Sequence, residues 1–66
     1  MRYKIEYLDV CDDEESAFLA TFCDGTLEDA RARAYAHRPE CEEAEGFLIR
    51  DFAQDGRVVL VQAFED

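Results

Sequence analysis

One stretch of this 66-residue sequence has the pattern of a helix, and it separates two pairs of strand-like runs. The helical stretch begins at Leu27, directly after Thr26, whose hydroxyl makes it a favourable N-cap. Alanines recur along it, and Pro39 disfavours helical geometry in the residue before it, so the helix is expected to end near there. Because so short a chain has room for one apolar core, residues 1–66 are predicted to form a single domain.

The first pair of strands comes before the helix. Residues 2–8 alternate, with Tyr3, Ile5 and Tyr7 on one side, which is the period of a half-buried strand. Residues 17–23 are rich in strand-forming residues, and Phe18 and Phe22 are spaced to share a face. We expect these two runs to pair as a hairpin with a long polar loop.

The second pair follows the helix. Residues 47–53 and 58–64 are two apolar runs separated by Asp55-Gly56, a dipeptide typical of tight hairpins. Residues 58–64 are apolar on both faces, which predicts an interior strand. The element order is therefore β-β-α-β-β, and the expected fold is α+β: a four-stranded antiparallel sheet with one helix packed on one face.

The core of this fold is predicted from the residues that point toward one another in these elements. Its expected members are Tyr3, Ile5, Tyr7, Phe18, Phe22, Leu27, Ala30, Ala34, Ile49, Leu60 and Phe64.

Charge excludes several classes of function. Asp and Glu number 17 against 7 Lys and Arg, for a net charge of -10. A basic face for direct binding to nucleic acid or to an anionic membrane is therefore not expected. The first residues lack the apolar centre of a signal peptide, so a cytoplasmic location is expected.

The acidic residues fall in segments that the topology brings to one end of the sheet. If each element runs antiparallel to the one before it, the first loop, the segment after the helix and the C-terminus all lie where the first strand ends. The predicted partner-binding residues are Asp9, Asp12, Asp13, Glu14, Glu15, Glu40, Glu42, Glu43, Glu45, Glu65 and Asp66. Arg38 is the only cation expected nearby. Duplex DNA presents one phosphate per roughly 1.7 Å of its axis. About a dozen phosphates therefore lie along a length equal to the width of this end of the molecule, roughly 20 to 25 Å.

Other chemistries have weaker signals. A zinc site would need Cys11, Cys23, His37 and Cys41 together, yet Cys23 is predicted at the opposite end from Cys11 and Cys41. No nucleophile motif, phosphate loop or EF-hand pattern is present, so neither an enzyme nor a bound cofactor or metal is expected.

Two resemblances bear on the fold and function. The tail Asp55-Gly56-Arg57-Val58-Val59-Leu60, with Met1-Arg2-Tyr3 and Leu27-Glu28-Asp29-Ala30-Arg31-Ala32, resembles short uncharacterised bacterial proteins of similar element order. In size, acidity and mixed α/β order the chain also resembles the small phage-encoded anti-CRISPR proteins, several of which mimic DNA. That second resemblance implies a non-enzymatic inhibitor whose carboxylates occupy a basic groove, as in a type I surveillance (Cascade) complex within a bacterial host cell.

An alternative is a structural or interaction module in which the acids serve only solubility. Its binding surface would be the second face of the sheet or an edge strand. The apolar residues expected on that face are Leu19, Leu48, Phe52, Val59 and Val61. Sedimentation distinguishes the two hypotheses, since the inhibitor is expected to be a monomer.

Overall fold

The computed structural model describes residues 1–38 and 44–64. These residues form one four-stranded antiparallel sheet and one α-helix, which confirms the predicted α+β class. In chain order the elements are β1 (Tyr3–Leu8), β2 (Ala17–Cys23), α1 (Leu27–Ala36), β3 (Gly46–Asp51) and β4 (Arg57–Ala63). Each strand lies within two residues of its predicted bounds.

The strands lie in the order β2-β1-β3-β4, so β1 and β3 are the interior strands. The prediction that the fourth strand is interior was wrong, because β4 forms one edge of the sheet. The chain leaves β2, crosses through α1 and returns beside β1, which leaves β4 outside β3. Side chains along β4 are half-buried or exposed, whereas five of the six residues of β3 are buried.

The helix begins and packs as its sequence predicts. Thr26 accepts a hydrogen bond from Asp29 N, and the Asp29 carboxylate accepts one from Thr26 N, which completes a capping box. Ala30 and Ala34 are buried against the sheet. The Tyr7 hydroxyl donates a buried 2.9 Å hydrogen bond to Ala34 O, which satisfies one of the carbonyls left free at a helix C-terminus.

The hairpin between β3 and β4 turns at the predicted dipeptide. Asp55 and Gly56 both have left-handed backbone conformations, with φ of 60° and 77°. Asp51 organises the turn before them, since its buried carboxylate accepts hydrogen bonds from Ala53 N and from the Gln54 side chain, both at 2.9 Å.

The core lies between α1 and one face of the sheet. Tyr3, Ile5 and Tyr7 of β1 face Phe47 and Ile49 of β3 in this layer, as the strand register requires. The cluster of buried core residues comprises Tyr3, Ile5, Tyr7, Ala30, Ala34, Ala44, Phe47, Ile49 and Phe64. Leu27 and Leu60, both predicted core members, are partly buried and pack against it.

Two predicted core residues lie elsewhere. Phe18 and Phe22 are 42% and 40% exposed. Phe22 pairs with Lys4, whose side chain points away from the helix, and it stacks on Phe52 with ring centroids 6.3 Å apart. The two-residue spacing correctly predicts a strand, but it does not indicate which of the two faces of that strand the helix covers.

We call the sheet face opposite α1 the second face. Leu48, Phe52 and Val61 contribute to it, in agreement with the sequence analysis. Leu19 and Val59 do not: Leu19 pairs with the core residue Tyr7, and Val59 packs against the core at a bulge in β4.

Candidate functional site

Three segments of the chain leave the sheet at the same end. Leu8 at the end of β1 pairs with Gly46, and Gly46 also pairs with Ala63 at the end of β4. Glu45 ties the three together, because its N–H donates to Leu8 O and its carbonyl accepts from Phe64 N, both at 2.9 Å. Whatever side chains these segments carry are therefore held near one another.

The loop between β1 and β2 is held by its own hydrogen bonds. The Ser16 hydroxyl lies 3.0 Å from Val10 N and 2.7 Å from Asp13 O. Asp13 caps the short 3-10 turn Glu14–Ser16 by accepting from Glu15 N at 3.0 Å. Asp12 has φ of 73°, a conformation that Asp tolerates better than most residues. The loop backbone is thus fixed while its carboxylates face solvent.

We call these carboxylates, together with Glu45, the acidic pole. Its members are Asp9, Asp12, Asp13, Glu14, Glu15 and Glu45, all of them exposed. Glu45 reaches the loop through a 3.5 Å hydrogen bond from Cys11 N to its carboxylate. The other predicted members, Glu40, Glu42, Glu43, Glu65 and Asp66, lie outside the described residues.

Among the described residues, few Arg or Lys side chains contact the carboxylates of the acidic pole. Arg38 is not the only one nearby, which corrects the sequence prediction: Arg50 Nη2 lies 3.8 Å from the Glu14 carboxylate. Arg50 is held mainly by Glu6, at 2.6 Å from Nε. The Arg38 guanidinium lies over the Phe64 ring, 4.3 Å from its centroid. Within residues 1–38 and 44–64, Glu14 is the one pole carboxylate with an Arg or Lys nitrogen within 4 Å.

Carboxylates away from the pole are paired more often. Asp51 contacts Arg2 at 3.4 Å, and Glu28 contacts Arg31 at 3.8 Å. Asp24 lies 3.5 Å from the N-terminal ammonium group. The uncompensated negative charge of the described chain is therefore concentrated at the acidic pole.

The loop also covers part of the second face. Leu8 and Leu48 are fully buried beneath it, although they lie outside the core cluster. An open groove of about 390 Å³ is lined by residues 12–15 together with Leu8, Leu48 and Val61. The acidic pole thus stands beside an apolar edge at Val61, which is 41% exposed. A partner with basic and apolar side chains could contact both.

Sequence reasoning missed Arg50 and the groove. Arg50 is two residues away from both Leu48 and Phe52. The three side chains are therefore expected on one face, and the charge of Arg50 indicates that this face points away from the core. The contact with Glu14 depends on the loop folding over the second face, and no local pattern predicts that.

The cysteines do not form a site in the described chain. Cys11 lies beside Gly46 at the acidic end, and Cys23 pairs with Tyr3 at the other end, as predicted. Cys41 lies outside the described residues, and His37 is exposed at the C-cap of α1. Among residues 1–38 and 44–64, no three His, Cys, Asp or Glu side chains are grouped so as to hold a metal ion. The described helix is too short and polar to cross a membrane.

Comparison with known proteins does not indicate a role for the acidic pole. No family model matches the chain, and neither a curated protein nor a solved structure is significantly similar to it.

Proposed function

We propose that the chain is a non-enzymatic inhibitor that binds, through its acidic pole, the basic groove of a nucleic-acid-binding protein. The observation that carries the proposal is the set of exposed carboxylates at one end, of which one is paired with a described Arg or Lys. Crowding like charges lowers folding stability, so the grouping has a cost that solubility alone does not require.

The chemistry of such binding follows from the resemblance between carboxylates and phosphates. Arginine forms bidentate hydrogen bonds with both, and complementary potentials speed association and make it sensitive to salt. The loop hydrogen bonds hold the pole in place before binding, which lowers the ordering cost. The full set of eleven predicted carboxylates is close to the dozen or so phosphates that a duplex presents over about 20 Å.

The most specific form of the proposal is an anti-CRISPR protein that prevents target DNA from binding a type I surveillance complex. It draws on the resemblance in size, acidity and mixed α/β order to the phage-encoded inhibitors. In this form the chain needs no catalytic group and no cofactor, because occupying the DNA groove is sufficient to block it.

A pair of charge-matched variants tests the proposal. The pole variant combines Asp9→Lys and Glu15→Lys with Asp12→Asn and Asp13→Asn, since Asn preserves the turn and the cap. The control makes the same charge change at the opposite end of the sheet. It combines Asp24→Lys and Glu28→Lys with Asp29→Asn and Asp55→Asn.

The assay is displacement of a fluorescent target duplex from a purified type I surveillance complex. We expect the wild type and the control to displace the duplex, and the pole variant to be at least about tenfold weaker, given several lost charge pairs. A wild type that never displaces the duplex rejects the anti-CRISPR form. A pull-down from bacterial lysate with salt-gradient elution then tests the broader form, and equal recovery by both variants refutes it.

A further inference from the structure

Three of the eight large apolar side chains that are exposed in the described chain lie on the edge strand β2. Phe18, Leu19 and Phe22 of β2 are 40–49% exposed, and Phe52 stacks on Phe22 from the end of β3. The other edge strand, β4, has one large apolar side chain this exposed, Val61. We propose that β2 is a homodimerisation strand that pairs antiparallel with β2 of a second copy.

An edge strand presents a row of unpaired N–H and C=O groups, which is a template for another strand. Natural edges are usually protected by charges or proline, and β2 has neither in its seven residues, Ala17–Cys23. In a chain in which 36% of residues are charged, an uncharged edge is unusual. A bulge at Phe18 confines the regular ladder to residues 19–23, so the pairing is expected to be weak.

A second copy fits this edge for reasons of charge and area. Each chain carries a net charge of -10, and pairing through β2 brings no charged side chain of the strand itself against another, because Ala17–Cys23 is uncharged. Phe18 and Phe22 each expose about 80 Å², so two copies together offer about 320 Å² of aromatic surface along this strand, in addition to the strand backbones. This is consistent with an interface at the small, transient end of the known range.

Antiparallel pairing has a geometric consequence for the acidic pole. β2 begins beside the loop at the acidic end and runs away from it. Two copies paired through β2 therefore carry their acidic poles at opposite ends of one eight-stranded sheet. The dimer leaves both poles exposed, so dimerisation and the proposed inhibition do not compete. An inhibitor is expected from the sequence to be monomeric, but with this geometry a dimer does not argue against inhibition.

The two associations differ in their response to salt. Two copies repel each other, so screening strengthens the dimer, whereas it weakens binding of the acidic pole to a basic groove. The oligomeric state can therefore be tested on the purified chain alone, independently of whether any inhibited partner exists.

Sedimentation velocity under reducing conditions, which exclude a Cys23 disulfide, measures the association. At about 0.3 M salt, where the Debye length is short, we expect a reversible shift toward twice the 7.6 kDa monomer mass as the concentration rises through about 100 μM. A wild type that stays monomeric into the millimolar range overturns the proposal.

Substitutions at Ala20 locate the interface. Ala20 is exposed near the middle of β2, so A20K and A20E should each remain folded by circular dichroism and each be monomeric. An equimolar mixture of the two should dimerise again. In a ladder of residues 19–23 the two substituted positions are diagonal neighbours on one face, where Lys of one copy can reach Glu of the other. The control A63K places the same charge on β4, and it should dimerise like the wild type. Loss of the dimer in A63K but not in A20K, or no recovery in the mixture, refutes pairing through β2.

Discussion

Removing the Tyr7 hydroxyl should destabilise the protein by more than the loss of one oxygen atom suggests. The hydroxyl donates to Ala34 O near the C-terminal end of α1, in a site where Tyr7 is 1% exposed. In Tyr7→Phe the ring still packs against Phe64, but the helix carbonyl loses its partner in a place that water does not reach. Leaving a buried acceptor unsatisfied costs about 1 to 3 kcal/mol.

The measurement is urea unfolding at neutral pH, with thermal unfolding as a second probe. A loss of about 2 kcal/mol corresponds to a fall in Tm of roughly 8 to 16 °C for a domain of this size. Tyr3→Phe is the matched control. Tyr3 is also in the core, but no hydrogen bond from its hydroxyl to another described residue is present, so its removal should change the free energy of unfolding by less than about 0.5 kcal/mol.

Alkaline pH provides an independent check on the same hydroxyl. Burial raises the pKa of Tyr7 above its ordinary value, because the phenolate would lose its hydration. The folded state therefore prefers the neutral phenol. The contribution of the Tyr7 hydroxyl to stability is complete below about pH 10, and it is lost as the pH rises from there through the folded-state pKa. The wild type should lose stability over this range more steeply than Tyr7→Phe. If the variant matches the wild type in both stability and alkaline slope, the hydroxyl does not cap the helix.

Three further substitutions test the turn between β3 and β4 and the acidic end of the sheet. Hydrogen bonds from Gln54, then from Arg2 and the backbone, hold the pKa of Asp51 below its ordinary value despite burial. The ionised Asp51 carboxylate therefore stabilises the fold above about pH 4, and this stabilisation is lost as the pH falls through the folded-state pKa. Asp51→Asn should therefore be less stable than the wild type at pH 7 and lose less on acidification, and equal acid slopes would contradict this. Gly46→Ala should cost about 2 to 3 kcal/mol in chemical unfolding, because its Cβ would lie 2.5 Å from the Gln62 carbonyl. Gly56→Ala, where a Cβ meets open space but φ is 77°, should cost about 1 to 2 kcal/mol, and a ranking in the opposite order would refute the close approach at Gly46.

The placement of the acidic segments was accessible to sequence reasoning because it depends only on chain direction. Any antiparallel path through five elements brings the loop after β1 and the segment before β3 to the same end. Asp12, Glu15 and Glu45 lie together for this reason, whatever the order of the strands. Their hydrogen-bonded scaffold was less predictable, because it depends on the rotamer of Ser16 and on the positive φ of Asp12.

Local sequence determined the elements of this protein. Thr26 and Asp29 cap the helix, and the alternation around Ile5 defines the first strand. Asp55 and Gly56 supply the left-handed conformations of the hairpin. Each of these signals acts within a few residues, through hydrogen bonds and backbone sterics that need no distant partner.

Tertiary structure alone decided the strand order and which face of each strand is covered. The apolar run of β4 suits an interior strand as well as an edge, and Phe18 and Phe22 keep the same spacing on either face of the sheet. The choice was made by the sum of contacts between α1 and the sheet: Tyr7, Phe47 and Phe64 fill the layer beneath the helix, so the phenylalanines of β2 remain outside it. That sum depends on packing between residues far apart in the chain, which no local pattern records.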